Sequence, residues 1–161
     1  MRTNTIKERE QIERIIRECD TCFVGMSDKN GIPYVLPMNF GYDDGVIYLH
    51  SAQEGKAISI LDKNPEVCIT FCNKTKLVWQ NLEVACSYRM RAASVVCHGK
   101  VEFEEDYDEK VKALDFTMRQ YSDREFRYSK PAVVNVKIWK VAIETATAKE
   151  FAAPVEKPMI L

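Results

Sequence analysis

The stretch His50-Ser51-Ala52-Gln53-Glu54-Gly55-Lys56 places an imidazole, a hydroxyl, a carboxylate, a glycine and an ammonium next to one another. It joins a strand-like run, Val46 to His50, to a helix-like run that begins at Glu54 and stops at Asn64-Pro65. Backbone N–H groups at such a joint lack partners. An anion held by those groups, the Ser51 hydroxyl and the Lys56 charge is one reading. Ser51 and Glu54 also have the spacing of a capping box, which would satisfy the same donors with no ligand. Taken alone, these residues favour the cap. His50 can donate a hydrogen bond or carry charge near neutral pH, or it can cap the loop. Cys19-x-x-Cys22 has the spacing of a zinc or redox pair, but Cys68-x-x-x-Cys72 is too wide to complete it, and neither His50 nor His98 is arranged with either pair. No metal site is expected. No Ser-His-Asp or paired-carboxylate constellation points to hydrolysis, and His98 reads as a strand surface residue.

The elements that must position these residues follow from apolar spacing. Ile6, Ile12, Ile15, Ile16 and Cys19 form one apolar stripe, which predicts an amphipathic helix over 6–19. Thr21 to Ser27 is β-like, and Asp28-Lys29-Asn30-Gly31 turns the chain into the run Ile32 to Tyr42, giving a hairpin. In that run Tyr34, Leu36, Met38, Phe40 and Tyr42 share one face, and Val35, Pro37, Asn39 and Gly41 the other. Pro37 predicts a sheet edge or an interruption near 37–39. Asp43-Asp44-Gly45 is a tight turn. Glu66 to Cys72 resumes β structure, 73–85 reads as a loop of uncertain strand content, and Ser87 to Glu104 is strand-rich. Asp106 to Tyr121 predicts a helix with Val111, Leu114, Phe116 and Met118 as apolar positions and acidic residues at its start. In the final long strand, apolar parity switches between Ile138 and Trp139, which predicts a bulge or a change of surface there.

The order has no βαβ repetition, so a doubly wound sheet is disfavoured and a small β-barrel with peripheral helices is expected. A chain of 161 residues fits one domain, over 1–151, with an extended tail over 152–161 containing Pro154 and Pro158. Lys plus Arg (23) nearly cancel Asp plus Glu (24) without blocks of either sign, which argues against a nucleic-acid partner. No run is long and apolar enough for a membrane span, and no signal-peptide pattern opens the chain. Six cysteines scattered through apolar runs read as free thiols in a reducing cytoplasm.

The motifs Pro33-Tyr34-Val35-Leu36-Pro37-Met38-Asn39-Phe40-Gly41-Tyr42, Leu49-His50-Ser51-Ala52-x-Glu54-Gly55-Lys56, Asn64-Pro65 and Ser94-Val95-Val96-x-x-Gly99-Lys100-Val101 follow one another in a specific order. In that order the chain resembles the pyridoxamine 5′-phosphate oxidase-like FMN-binding split barrels, and within them the nitroimidazole-reductase (Nim) branch. The resemblance runs from about Cys19 to Phe151. It implies a mainly β fold, a six-stranded antiparallel split β-barrel with peripheral helices, forming a homodimer with FMN at the interface. It places Met38, Asn39 and Phe40 along the flavin ring, mainly through backbone groups. It places His50, Ser51 and Lys56 around the phosphate end, Ser94 and Val95 against the cofactor, and Trp139 toward the partner's flavin, although core packing is the commoner fate of such a tryptophan. Two departures stand out. Ala57 follows Lys56 where related sequences often carry a second basic residue, and Tyr88-Arg89-Met90-Arg91-Ala92-Ala93 replaces a compact Tyr-Arg-Ser-Val run, so that Arg89 or Arg91 could supply the missing charge. The implied activity is FMN-dependent reduction of a small electron-poor acceptor, such as a 5-nitroimidazole or other nitroaromatic, with chemistry on the cofactor, no catalytic side chain assigned and His50 as an accessory. A non-catalytic flavin or haem binder is the alternative. Oxidation of pyridoxamine phosphate ranks lower for want of a second cationic pocket, and deazaflavin could replace FMN within the wider fold.

Overall fold

Alternating apolar and polar residues build the largest share of this chain into antiparallel strands. The computed structural model describes residues 2–153. In chain order the elements are β1 (Arg2–Ile6), α1 (Arg9–Arg17), β2 (Cys22–Ser27), β3 (Pro33–Met38), β4 (Gly41–Asp43), β5 (Val46–Ala52) and α2 (Lys56–Leu61). Then come β6 (Glu66–Cys72), β7 (Lys76–Val78), a 3-10 turn (Ala85–Ser87), β8 (Arg89–Glu104), α3 (Tyr107–Tyr121), α4 (Lys130–Val134), β9 (Val136–Ala142) and β10 (Thr145–Ala153).

The described residues fall into two compact units, each threaded from separate stretches, so no linker divides the sequence. Among the described residues the first takes 2–19, 71–95 and 147–153, and the second takes Asp20–Thr70 and Val96–Ala146. In the first, β1 pairs with β10, and Lys76–Val78 of β7 pairs with Arg89–Arg91 of β8. The stripe on α1 buries Ile15 and Ile16. Ile6, expected in that helix, belongs to β1 instead and pairs with Ala148. The expected tail begins inside β10, where Ala152 and Ala153 are buried. Pro154 and Pro158 lie outside the described residues.

The second unit holds a curled antiparallel sheet, with strands in the order β3-β2-β6-β8-β9-β5-β4. β3 is an edge, as Pro37 requires. The turn before it is built by Asp28, whose carboxylate accepts from the N–H groups of Asn30 and Ile32. The long run 32–42 breaks at Asn39–Phe40, which separates β3 from β4. The fold is thus mainly β with peripheral helices and antiparallel pairing, a split barrel, but with ten strands among the described residues rather than six. The break at 39–40, the short β7, the N-terminal β1 and the turn at 143–144 account for the extra strands.

Two further expectations are corrected. The final long strand is two strands, β9 and β10, and Val134 ends α4 rather than joining them. No bulge lies at 138–139. Ile138 and Trp139 pair in regular register with His50 and Leu49 on one side and Glu104 and Phe103 on the other. Both are buried because β9 is a central strand covered on both faces, and such strands lose apolar alternation.

Helix α3 also packs differently from its apolar pattern. Its buried line is Lys110, Ala113 and Thr117, while Val111, Leu114, Phe116 and Met118 are half-buried. Gly41 explains this. A Cβ there would lie 2.5 Å from backbone atoms of Phe116 and Thr117, so the helix backbone rests directly on β4 and only small side chains fit the contact. Lys110 is tolerated because its ammonium donates to the Val136 carbonyl at 3.1 Å and pairs with Glu105 at 3.3 Å. Asp106 caps the helix, accepting from Asp108 N and Glu109 N at 3.0 and 3.1 Å.

Candidate functional site

Where the helix begins decides the capping reading of the strand-to-helix joint. Helix α2 starts at Lys56 with Gly55 as its N-cap residue, and no side chain caps it. Ser51 lies within β5, too early to serve as the cap, so the Ser51–Glu54 capping box is not formed. Gly55 sits at φ 143° and ψ 179°, a conformation essentially restricted to glycine, with open space where a side chain would project. The chain therefore enters α2 with bare backbone beside an exposed lysine.

Ser51 is occupied in another way. Trp139 Nε1 donates to Ser51 Oγ at 3.1 Å, and that hydroxyl donates to the Ala52 carbonyl at 2.8 Å. Trp139 is fully buried, with Phe103 edge-on to it at 6.4 Å. It is a core residue, and its reach toward the joint is through Ser51. Register enforces the contact, since Leu49 pairs with Trp139 and Ser51 with Lys137 across β5 and β9. The loop is tied at a second point by Gln53, whose Nε2 donates to the carbonyls of Val134 and Val136 at 2.9 and 3.0 Å.

Lys56 Nζ lies 4.4 Å above the Tyr34 ring, a cation–π contact that holds the ammonium beside the edge strand. His50 lies two residues before the end of β5, exposed and opposite Ile138. Neighbouring protein still removes enough water from its ring to hold its pKa below the ordinary histidine value. It is therefore mostly neutral at pH 7, offering one N–H and one acceptor.

Met38, Asn39 and Phe40 occupy the break between β3 and β4. Gly41 pairs with Tyr48, so the chain entering β4 from Asn39 and Phe40 comes alongside the His50 end of β5. Met38 is half-buried, Asn39 exposed and Phe40 fully buried. The break is pinned by a relay in which Phe40 N donates to the Tyr121 hydroxyl at 3.0 Å and that hydroxyl donates to the Asp20 carbonyl at 2.9 Å. Asn39 Nδ2 reaches the same carbonyl at 3.4 Å. Met38, Asn39, Phe40, His50, Ser51, Lys56 and Trp139 all lie in the second unit, where Trp139 contacts Ser51 directly. Ser94, half-buried, and Val95, fully buried, lie on β8 in the first unit.

Sequence reasoning missed Tyr34, Gln53 and Tyr121. Tyr34 and Gln53 lie inside motifs quoted above but drew no role, and Tyr121 bonds to a segment about eighty residues away. Cys19 Sγ donates to the Ile15 carbonyl and Cys22 Sγ to that of Met38. Burial, with Cys68 nearby, pushes the Cys97 thiol up to about 12. None of the six cysteines is in a disulfide. Among the described residues, no group of three or more His, Cys, Asp or Glu is placed to hold a metal, and no helix is long and apolar enough to cross a membrane.

The donor set suits an anionic group. The Lys56 ammonium, the N–H of neutral His50 and the bare backbone at Gly55 provide donors, while the Ser51 hydroxyl as placed spends its proton on Ala52. The chemistry of this donor set is compatible with a phosphate.

Comparison with known proteins gives the family. The pyridoxamine 5′-phosphate oxidase family model matches residues 8–150. A candidate 5-nitroimidazole antibiotic resistance protein of Bacteroides thetaiotaomicron superposes with a TM-score of 0.84 at 52% identity, covering 92% of this chain and 87% of its own. A flavocytochrome of Azotobacter vinelandii superposes at 0.78 and 19% identity, covering 96% of this chain and 72% of its own. An FAD- and haem-binding protein of Mycobacterium smegmatis does so at 0.80 and 14% identity, covering 98% and 77%. These last two share the fold. No curated protein matches the chain. With the family model spanning most of the sequence and a relative identical at half of its positions, the chain belongs to the pyridoxamine 5′-phosphate oxidase-like family of flavin-binding split barrels, on its Nim-like branch.

Proposed function

We propose that this protein is an FMN-dependent oxidoreductase that acts as a homodimer and reduces a small electron-poor molecule, with nitroaromatics such as 5-nitroimidazoles as the substrate class. One observation carries the reading: the joint into α2 is left uncapped, with Gly55 bare and Lys56 beside it, although a capping pair stands in the sequence. The 52% identical relative supports the substrate class.

Lys56 and the backbone around Gly55 would hold the phosphate, with His50 flanking it. Ser51, held by Trp139, would add a hydroxyl only on rotating away from the Ala52 carbonyl. Met38, Asn39 and Phe40 would run along the ring, the last through its backbone since its side chain is buried. Ser94 and Val95 are assigned by the resemblance alone. FMN, when bound, would accept reducing equivalents from a donor and pass them to the acceptor. Six cysteines outside any disulfide suit a reducing compartment such as the cytoplasm.

The visible absorption spectrum of the purified protein is the first test. Flavin bands are expected. A colourless protein that neither takes up FMN nor quenches its fluorescence would overturn the proposal, and a Soret band would replace flavin with haem. Anaerobic mixing of the reduced protein with a 5-nitroimidazole tests turnover. Reoxidation no faster than that of free reduced FMN would leave a binding protein without this activity.

A further inference from the structure

We propose that the β7–β8 hairpin carries a second ligand site, for a planar aromatic molecule bearing a carboxylate or phosphate. Across this hairpin Lys76 pairs directly with Arg91. Like charges set opposite one another destabilise a strand pair, and among the described residues no carboxylate forms an ion pair with either. Arg91 Nε donates to the Ala152 carbonyl at 3.3 Å, which fixes the side chain while leaving its outer N–H groups for another acceptor. An anionic group bound here would face both cations.

The same two side chains line one cleft of about 400 Å³ with Leu77, Val78, Trp79 and Gln80. Trp79 is stacked on Tyr88, with ring centroids 5.5 Å apart and planes at 22°, yet remains 48% exposed. The stack holds the indole rigid and leaves part of it free to face a ring. Leu77 is also exposed. An apolar shelf with a fixed aromatic and a pair of unneutralised cations complements a flat ring joined to an anionic group. None of these residues belongs to the α2 joint. Arg91 is also one of the two arginines offered above for the flavin phosphate, so the Lys76→Gln and Lys56→Ala arms of the test are needed to separate the two sites.

The test titrates 2-naphthoate into the protein as purified, by calorimetry and by tryptophan emission, since Trp79 is exposed and Trp139 buried. Saturable binding to one site per chain is expected, with naphthalene-2-carboxamide about tenfold weaker for lack of charge and cyclohexanecarboxylate about fivefold weaker for lack of a ring. Lys76→Gln should weaken 2-naphthoate about tenfold and Trp79→Leu about fivefold, with folding checked by circular dichroism. Both residues are on the surface, so the variants should fold. Absence of saturable binding, equal affinity for the carboxamide, or affinity that responds to Lys56→Ala instead of Lys76→Gln would each overturn the proposal. No flavin turnover enters the measurement, so its failure is distinguishable from failure of the flavin reading.

Discussion

At the scale of single residues, the phosphate end of the proposed site rests on few donors. Ala57 follows Lys56, and the Ser51 hydroxyl is shared between Trp139 and Ala52. Lys56→Ala should therefore weaken FMN by about tenfold or more, the value of one charge-assisted contact, whereas Lys74→Ala, at an exposed position in the other unit, should leave it unchanged. Fluorescence titration reads both, and equal affinities would remove the assignment. His50 adds a pH dependence. Its folded pKa lies below its ordinary value because of desolvation, so between that lowered value and about 6.5 the unfolded chain binds more protons than the folded one. Stability from this group is complete above about 6.5 and is lost as pH falls through that window. The melting temperature should drop modestly from pH 7.5 to 5.5, the effect being limited by the exposure of the ring, and His50→Asn should flatten that part of the slope. An unchanged slope in the variant would assign the pH dependence to other groups.

At the scale of elements, the sequence was most readable where the cause is local. The Asp28–Gly31 turn, the edge status of β3 at Pro37 and the acidic start of α3 are each set by residues within a few positions, and each is where spacing placed it. Misreadings arose where a distant partner decides. Ser51 and Glu54 looked like a cap because spacing cannot reveal that Trp139, eighty-eight residues on, holds the serine in β5. The parity switch at Ile138–Trp139 looked like a bulge because a strand covered on both faces erases alternation. The buried line of α3 was invisible because Gly41 on another strand selects Ala113 and Thr117 over larger neighbours. That contact gives a sharp expectation. Gly41→Ala puts a methyl 2.5 Å from the backbone of Phe116 and Thr117, and backbone cannot rotate away as a side chain can. Urea denaturation should show a loss of about 2 to 3 kcal/mol. Asp106→Ala, which removes only the cap, should cost about 1 kcal/mol. A Gly41→Ala variant as stable as the wild type would mean that α3 can slide off β4.

At the scale of the whole molecule, the edge strand β3 poses the problem that a second copy would solve. Its outward face shows Val35 at 57% exposure, next to Phe23 on β2 at 49%, with Ile32 exposed in the turn before them. An exposed apolar edge invites pairing or covering, and proteins that remain monomeric usually blunt such an edge with charge. Here no charged residue interrupts Ile32 to Tyr42. The resemblance places the cofactor between two chains, and the same strand leads into the Met38–Phe40 break, so covering the edge and completing the site would be one event. Sedimentation at micromolar concentration should therefore show a dimer. Val35→Lys points outward and removes no core contact, so the chain should fold. A charge set into an apolar contact is costly to desolvate, so dissociation to monomers is expected, with FMN lost in parallel. A monomeric variant that keeps wild-type FMN affinity would place the whole cofactor site within one chain, and a wild-type monomer would contradict the shared site outright.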